Sequence, residues 1–457
     1  FDLGTQDQTV WGYSQLQMIP NTVLGIRNLL GDHFHPILMI LAPLYRIWPS
    51  PIVLLVTQGV LVALGGLPVY LWGAERLGRT AGLLFQASYL VFWGVLAGIL
   101  FDFHHVAFAV PAISVALYGA LTRRNGLLLL GVVVGLLTRE DVSLTLVGLG
   151  VYLALFQRRI WLGGGLMALG LAWFATVVGV VIPAIAGDGY GHWLYDELGS
   201  GPLSAAVHVV LHPVSSLQLL FTPFHKVEVW IGLLGSWLFL PLFSPLLVVA
   251  IPSLLERFWS TDATLWSFRY QYSLIEAPIL AFAAIDAVAR IRRLLGPRLP
   301  APRRLGKFGA VSLAGGSLAV SLVLSIGVVQ PLSELNTYVS SARAAQIQSC
   351  LDVIPPGAGV GATGHLLPHL SDRRSIYLIP WGPSGDPAAL DSEYVAVDPT
   401  VELPDDPHYD QYLRVLITSS LDRGYGVACS KGLTAVLERD HPGQGSLSPQ
   451  LKKWLAQ

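Results

Sequence analysis

Charge is scarce in this chain. Of 457 residues only 12% are Asp, Glu, Lys or Arg, 29 acidic and 28 basic, while 53% are hydrophobic. Such usage, with a mean hydropathy of +0.58, excludes an ordinary soluble domain and marks an integral membrane protein. The net charge is −1 and the basic residues are spread over short loops rather than gathered in a patch, which excludes nucleic acid as a partner. There is no solenoid-length repeat and no heptad array. Gly357, Gly359, Gly361 and Gly364 invite a nucleotide-loop reading, but the GxGxxG order and the long helix that should follow it are lacking. Cysteine is limited to Cys350 and Cys429, and the sequence leaves open whether they pair or stay as free thiols. The first residue is Phe, and an Asp-bearing loop seldom begins a membrane protein, so a helix upstream of Phe1 is expected.

What the chain has in quantity is apolar sequence. A membrane-spanning helix takes roughly 20 apolar residues, and the runs 51–73, 80–100, 106–121, 160–186, 229–251 and 308–330 approach or exceed that length. Shorter runs at 126–137, 141–156, 205–221 and 272–288 read as further spans or half-spans. The expected fold is an α-helical polytopic membrane domain over 1–330, of roughly 9–11 helices. Cytoplasmic loops carry the excess of Lys and Arg. Arg76 and Arg79, Arg123 and Arg124, Arg158 and Arg159, and the series Arg290, Arg292, Arg293, Arg298, Arg303, Arg304 and Lys307 therefore read as inside. The Pro/Arg-rich linker 296–307 is then a cytoplasmic anchor. Residues 1–35, the turn 102–105, the loop 187–204 and everything after 330 fall on the outer face of a cytoplasmic (inner) membrane.

The runs 126–137 and 141–156 are each short for a span, and inside-type arginines flank both ends of the pair. A broken hairpin is expected, with Thr138, Arg139, Glu140 and Asp141 at membrane depth, where charges must pair or face a cavity. Two readings stand: an ion pair of Arg139 with Glu140 or Asp141, and donor-phosphate binding by Arg139. After 330 the composition turns polar. Strand-like runs at 359–363, 375–380, 394–398 and 433–439 alternate with helix-like stretches at 365–370 and 410–423, so 331–457 is expected to form a small extracytoplasmic α/β domain.

Three polar clusters interrupt the apolar sequence: FDLGTQDQ at 1–8, GDHFHP at 31–36 and DFHH at 102–105. Carboxylates and imidazoles next to hydrocarbon-length segments are costly unless they face water, a metal or a polar substrate, so one site at the membrane surface is expected. The amphipathic run 8–29 is too polar to span and predicts outer juxtamembrane helices at about 5–30. Asp2 is either the N-cap of such a helix or a general base for a lipid-linked substrate. Asp7, Gln8, Asp32, His33, His35, Asp102, His104 and His105 are candidates for hydrogen-bonding a phosphate or sugar. Imidazole with carboxylate also suits zinc or manganese: Asp32, His33, His35, Asp102, His104 and His105 could supply ligands, with His35, Asp102 and His104 singled out for a divalent metal ion. Arg139, Glu140, Arg269 and Tyr270 complete the candidate substrate contacts, with an interfacial aromatic belt as the competing reading for Tyr270 and Tyr272. His208, His212 and His225 read as structural.

In the order FDLG, GDHF-HP, DFH and an Arg-Glu-Asp break, these motifs resemble an uncharacterised family of polytopic bacterial and archaeal membrane proteins. That family is grouped with the GT-C glycosyltransferases, and the resemblance covers most of 1–290. Over 1–110 the layout is also similar to the lipid-linked aminoarabinose and protein mannosyl transferases. Asp2 takes the place of their acidic residue in the first outer loop, and His35, Pro36, Ile37 and Leu38 that of their His-Pro or Lys-Pro-Pro-Leu element. Two departures matter: the Asp-Glu pair common in mannosyl transferases is Asp2 and Leu3 here, and the second proline is Ile37. Sugar and acceptor identity therefore do not carry over.

The resemblance implies inverting transfer of a sugar from a polyprenyl-phosphate donor, at the bilayer's outer face, to a hydroxyl of a cell-envelope glycan, lipid or protein. Asp2 would deprotonate the acceptor, and Arg139, His104 or a metal would stabilise the departing phosphate. A transporter or flippase working at the Arg139 to Asp141 break is the competing class. It predicts inverted internal repeats, and none is visible. A third reading, an assembly or sensor protein acting through the outer α/β domain, leaves the Asp and His clusters without a role.

Overall fold

The computed structural model describes residues 1–187, 189–295, 307–330, 341–379, 392–400, 409–443 and 445–457. Arg298, Arg303 and Arg304 of the expected cytoplasmic anchor lie outside the described residues. The chain divides into two compact units, one of Phe1–Gly31, Leu38–Leu54 and Leu332–Gln457, the other of Asp32–Ile37 and Leu55–Pro331. Helices α1 (Asp2–Ser14) and α2 (Ala42–Ile47) belong to the first.

The second unit is helical. It is built on α3 (Pro51–Leu77), α4 (Arg79–Leu90), α5 (Trp93–Leu100), α6 (Ala109–Leu121), α7 (Asn125–Leu136), α8 (Val142–Leu155) and α9 (Ile160–Ala186). Among the described residues, three helices are long and apolar enough to cross a membrane, Pro51–Leu77, Ile160–Ala186 and Phe308–Val329. The pair α4 and α5, bent by 44°, passes the same test only when taken together, as a broken span or a re-entrant loop. Other expected spans are broken for local reasons. The run 229–251 gives the helix Phe224–Gly235 and then two short 3-10 turns, Leu240–Phe243 and Pro245–Val249. Leu238 and Phe239 stand at φ 53° and 56°, and Pro241 and Pro245 lack the N–H a continuous helix needs. The helix Glu276–Leu295 is buried on all sides from Ala277 to Val288, with its Asp286 bonded to Ser244 and Arg290.

Small residues set the helix crossings. A methyl on Gly163 of α9 would come within 2.5 Å of the Gly150 carbonyl oxygen on α8, and one on Gly131 of α7 within 2.4 Å of the Ala112 oxygen on α6. Glycine at these points lets two backbones touch, which is how helices gain dispersion contact where lipid removes the hydrophobic drive. Apolar side chains such as Val56, Val60, Leu64 and Leu67 on α3 remain exposed, as a lipid-facing surface requires.

The first unit carries a five-stranded mixed sheet of β1 (Val360–Thr363), β2 (Ile376–Ile379), β3 (Tyr394–Val397), β4 (Tyr425–Lys431) and β5 (Thr434–Arg439), in the order β2-β1-β3-β5-β4. β1 runs parallel to β2 and β3, and β5 is antiparallel to β3 and β4. Alternating residues feed two cores: Val360, Ala362, Ile376 and Ala396 on one face, Val395, Val397 and Ile379 with Leu413 and Ile417 on the other. Cys350 and Cys429 are joined in a disulfide that ties the helix Ser341–Leu351 to β4.

The N-terminal segment is part of this unit. Thr22 covers the edge of β2: its hydroxyl donates to the Ile376 carbonyl at 2.6 Å and accepts from the Ile376 N–H at 2.9 Å. The Gln8 amide holds Thr22 in place and donates to the Arg373 and Arg374 carbonyls. An exposed strand edge is thereby closed. Of the helix or helix pair expected over 8–29, one helix is present, α1, ending at Ser14 and followed by a loop that includes an Asn21 to Ile26 bridge.

Candidate functional site

The larger unit gathers a histidine and carboxylate cluster from sequence-distant turns. The segment 32–35 supplies Asp32, His33 and His35. Pro36 opens a short 3-10 turn, Pro36–Leu41, and restricts His35 to extended backbone. The Ile37 N–H then bonds the Leu137 carbonyl at 3.1 Å, anchoring the segment beside the break between α7 and α8. That break needs neither Pro nor Gly. The Thr138 hydroxyl donates back to the Gly135 carbonyl at 2.6 Å and the Ser143 hydroxyl to the Glu140 carbonyl at 2.5 Å, competing with the helical ladder.

Glu140, buried, is the hub. It accepts from His33 Nδ1 at 2.6 Å, from the Phe34 N–H at 3.0 Å and from the Tyr190 hydroxyl at 3.2 Å. His192 Nε2 donates to Asp32 Oδ1 at 2.8 Å, and its ring stacks on His33 with centroids 4.1 Å apart and planes inclined by 15°. His35 and His105 complete the group, their ring centroids 4.4 Å apart and His105 5.8 Å from His33. Burial would lower the His33 pKa, but the Glu140 charge and hydrogen bond outweigh it and raise it. For Asp32 burial acts upward, and the His192 hydrogen bond with the charge of His33 holds the carboxyl below its ordinary value. His35 falls to about 4, from burial and then from the His33 charge. One ligating atom each from Asp32, His33 and His192 lies within 4.8 Å of the others.

A family model described as predicted membrane protein (DUF2079) matches residues 1–428. The chain belongs to this family. No curated protein matches it. Two solved structures of one membrane protein share its fold. The crystal structure of ArnT from Cupriavidus metallidurans bound to undecaprenyl phosphate aligns with a TM-score of 0.57 at 12% identity, covering 98% of this chain and 95% of that one. The same protein in the apo state aligns with a TM-score of 0.53 at 14% identity, covering 95% and 92%.

In this DUF2079 chain the structure brings together Asp32, His33, His35, His105 and Glu140, all marked by the sequence. Asp102 and His104 sit in the turn after α5, shaped by Gln58 of α3. The Gln58 amide donates to the Gly98 and Asp102 carbonyls and accepts from the His104 N–H at 2.8 Å. His104 Nδ1 faces the Asp102 carbonyl at 2.8 Å and its ring stacks on Phe101, which meets Tyr270 edge-on. Among the described residues, His35, Asp102 and His104 do not form a metal-ligating group; the atoms that converge are those of Asp32, His33 and His192. The Arg139 guanidinium is turned to Asp141 in a two-pronged pair, which favours the ion-pair reading of that break. Among the described residues, Arg269 makes no side-chain bond to the cluster; its backbone N–H donates to the Ser267 hydroxyl.

Asp2, Asp7 and Gln8 belong to the other unit. Asp7 is buried and accepts from the Tyr45 hydroxyl at 2.5 Å and the Ser371 hydroxyl at 2.6 Å. Burial, then the Asp372 charge, lift its pKa to about 7 against those two hydrogen bonds. With Gln8 clamping Thr22, both residues act as struts. Asp2 is half-buried in the first turn of α1. The residues that sequence reasoning passed over are His192, Tyr190 and Gln58. A signal existed for the first two: GYGHW at 189–193 puts a histidine and a tyrosine among glycines in a loop already assigned to the outer face.

Proposed function

We propose that this protein transfers a sugar from a polyprenyl-phosphate donor to an acceptor hydroxyl at the outer face of the inner membrane. The observation that carries the reading is the extent of the fold likeness, nearly end to end on both chains, to a protein crystallised with undecaprenyl phosphate. The cluster in the helical unit fits the demand of that chemistry, since a departing phosphate needs preorganised positive groups or donors in a site with little water. His33, oriented by Glu140, and His192, paired with Asp32, are the residues proposed to face the phosphate, directly or through a bound ion. Asp2 is the proposed general base for the acceptor hydroxyl, a role taken from the family resemblance. The Cys350 to Cys429 disulfide supports an extracytoplasmic placement of the C-terminal domain, because such bonds persist in oxidising compartments. The pairing of Arg139 with Asp141 weighs against the transporter alternative, which needs those charges available to a substrate.

The test is a transfer assay in proteoliposomes, with polyprenyl-phosphate sugars of several kinds and a cell-envelope extract as acceptor, read by mass spectrometry. Acceptor-dependent release of free polyprenyl phosphate, lost in His33→Gln, supports the reading. Intact donor across the panel, with lipid-linked sugar moved from one leaflet to the other, would replace it with a flippase.

A further inference from the structure

We propose that Asp32, His33 and His192 form a binding site for one divalent transition-metal ion of the zinc class, with Glu140 orienting His33 from outside the coordination sphere. The ligating atoms lie within 4.8 Å of one another, and side-chain rotation would draw them to the spacing of about 3.4 Å at which a tetrahedral ion roughly 2.0–2.2 Å from each donor holds them. The chemistry of the set is selective. Two imidazoles and one carboxylate suit zinc and its neighbours in the first transition row, whereas magnesium and calcium take oxygen ligands.

The surroundings are those a metal site requires. His33 spends Nδ1 on Glu140, which leaves Nε2 as its ligating atom, and Glu140 is itself fixed by the Phe34 N–H and the Tyr190 hydroxyl. A carboxylate behind a ligating histidine sets its tautomer and raises its basicity. His33 stacks on His192, whose Nε2 meets Asp32 Oδ1 at 2.8 Å, and an ion there would replace the proton those two atoms share. The three side chains keep 22%, 35% and 31% exposure for His33, His192 and Asp32, so an ion held there retains an open position. Three protein ligands with one open position is the arrangement of zinc sites that bind an exchangeable ligand.

A second observation points the same way. His35 is fully buried, and among the described residues neither of its ring nitrogens meets a side-chain hydrogen-bond partner. A buried polar group without a partner is costly, and this one lies two residues from His33, against the ring of His105. That the exchangeable ligand is the donor phosphate rests on the transferase reading; the metal site itself does not.

The experiment uses the full-length protein in detergent, stripped with a chelator, exchanged into zinc and then desalted, with metal measured by mass spectrometry and cobalt substitution followed by visible absorption. About one zinc per chain is expected for the wild type. His33→Gln and His192→Gln should each retain less than a tenth of that, and Glu140→Gln should keep the stoichiometry with affinity about 10–100-fold weaker. The double variant His208→Ala with His212→Ala, altering histidines elsewhere in the chain, should bind as the wild type does. Size-exclusion profiles establish that each variant is folded. If one of the histidine variants fails to fold, Asp32→Asn replaces it with the same expected loss. A wild type that holds no zinc and shows no cobalt ligand-field band, or ligand variants that bind like the wild type, would overturn the site. A metal-binding protein without transfer activity sinks only the transferase reading, and a metal-free active one sinks only this inference.

Discussion

His33 donates its Nδ1 hydrogen to Glu140 Oε1 at 2.6 Å, joining a polar turn near the start of the chain to a helix break 107 residues later. The pair matters because Glu140 is 1% exposed and three donors converge on it. It fixes the ring on which both Asp32 and His192 are arranged, so the cluster is only as rigid as this contact.

Glu140→Gln keeps the shape and removes the charge. His33 keeps 22% exposure, so solvent offsets part of what the loss of its buried partner's charge costs. Transfer from a polyprenyl-phosphate donor is expected to fall at least about tenfold, the usual effect of losing an orienting partner. Unchanged turnover in folded protein would show that the His33 orientation is not used in the reaction.

Asp7 makes stability depend on pH. Its folded pKa of about 7 lies above the ordinary 3.8, so the folded state holds a proton that the unfolded state gives up. The contribution is fully present below the unfolded pKa and is lost as pH rises through 7, by up to about 4 kcal/mol. The melting temperature should decline between pH 5 and 8 in the wild type and stay flatter in Asp7→Asn. Parallel curves for the two proteins would remove Asp7 as the cause.

The disulfide closes a loop of sequence separation 79. Chain entropy assigns such a cross-link about 4–5 kcal/mol. Cys350→Ser with Cys429→Ser, or a reductant, should lower the denaturant midpoint of the C-terminal domain, followed by the resistance of that domain to proteolysis. An unmoved midpoint would mean that the reduced chain keeps the loop closed in its unfolded state.

Gly163→Leu tests the crossing of α8 and α9. Even its first carbon would lie 2.5 Å from the Gly150 carbonyl oxygen, a backbone atom that cannot swing aside. Separation of the helices should appear as a lower melting temperature in detergent and aggregation on size exclusion. Gly164→Leu, one residue on with nothing within 4 Å, is the control expected to behave as the wild type.

Much of the architecture was legible because apolar length and loop charge are local properties. The runs 51–73, 160–186 and 308–330 correspond to the three long apolar helices, and the change of composition after 330 marks the mixed sheet. The interruption of 229–251 was less visible, since Pro241 and Pro245 sit in a run whose mean hydropathy stays high. At the site, Asp32, His33, His35, His105 and Glu140 stood out because polar residues beside hydrocarbon-length segments demand an explanation. Their partners did not. His192 carries no local mark of its link to Asp32, 160 residues away. Gln8 gave no sign that its amide would be spent on Arg373 and Arg374, more than 360 residues on.

The sequence by itself determined a charge-poor, helical membrane protein with a small α/β domain at its C-terminal end, because hydrocarbon admits only backbone that satisfies its own hydrogen bonds. Tertiary structure decided which polar residues share a site. It set His33 on Glu140 and His192 on Asp32, turned Arg139 to Asp141, joined Cys350 to Cys429 and made struts of Asp7 and Gln8. Hydrogen bonds and ion pairs act over a few ångströms in space whatever the distance along the chain, and only the folded backbone brings those atoms within reach.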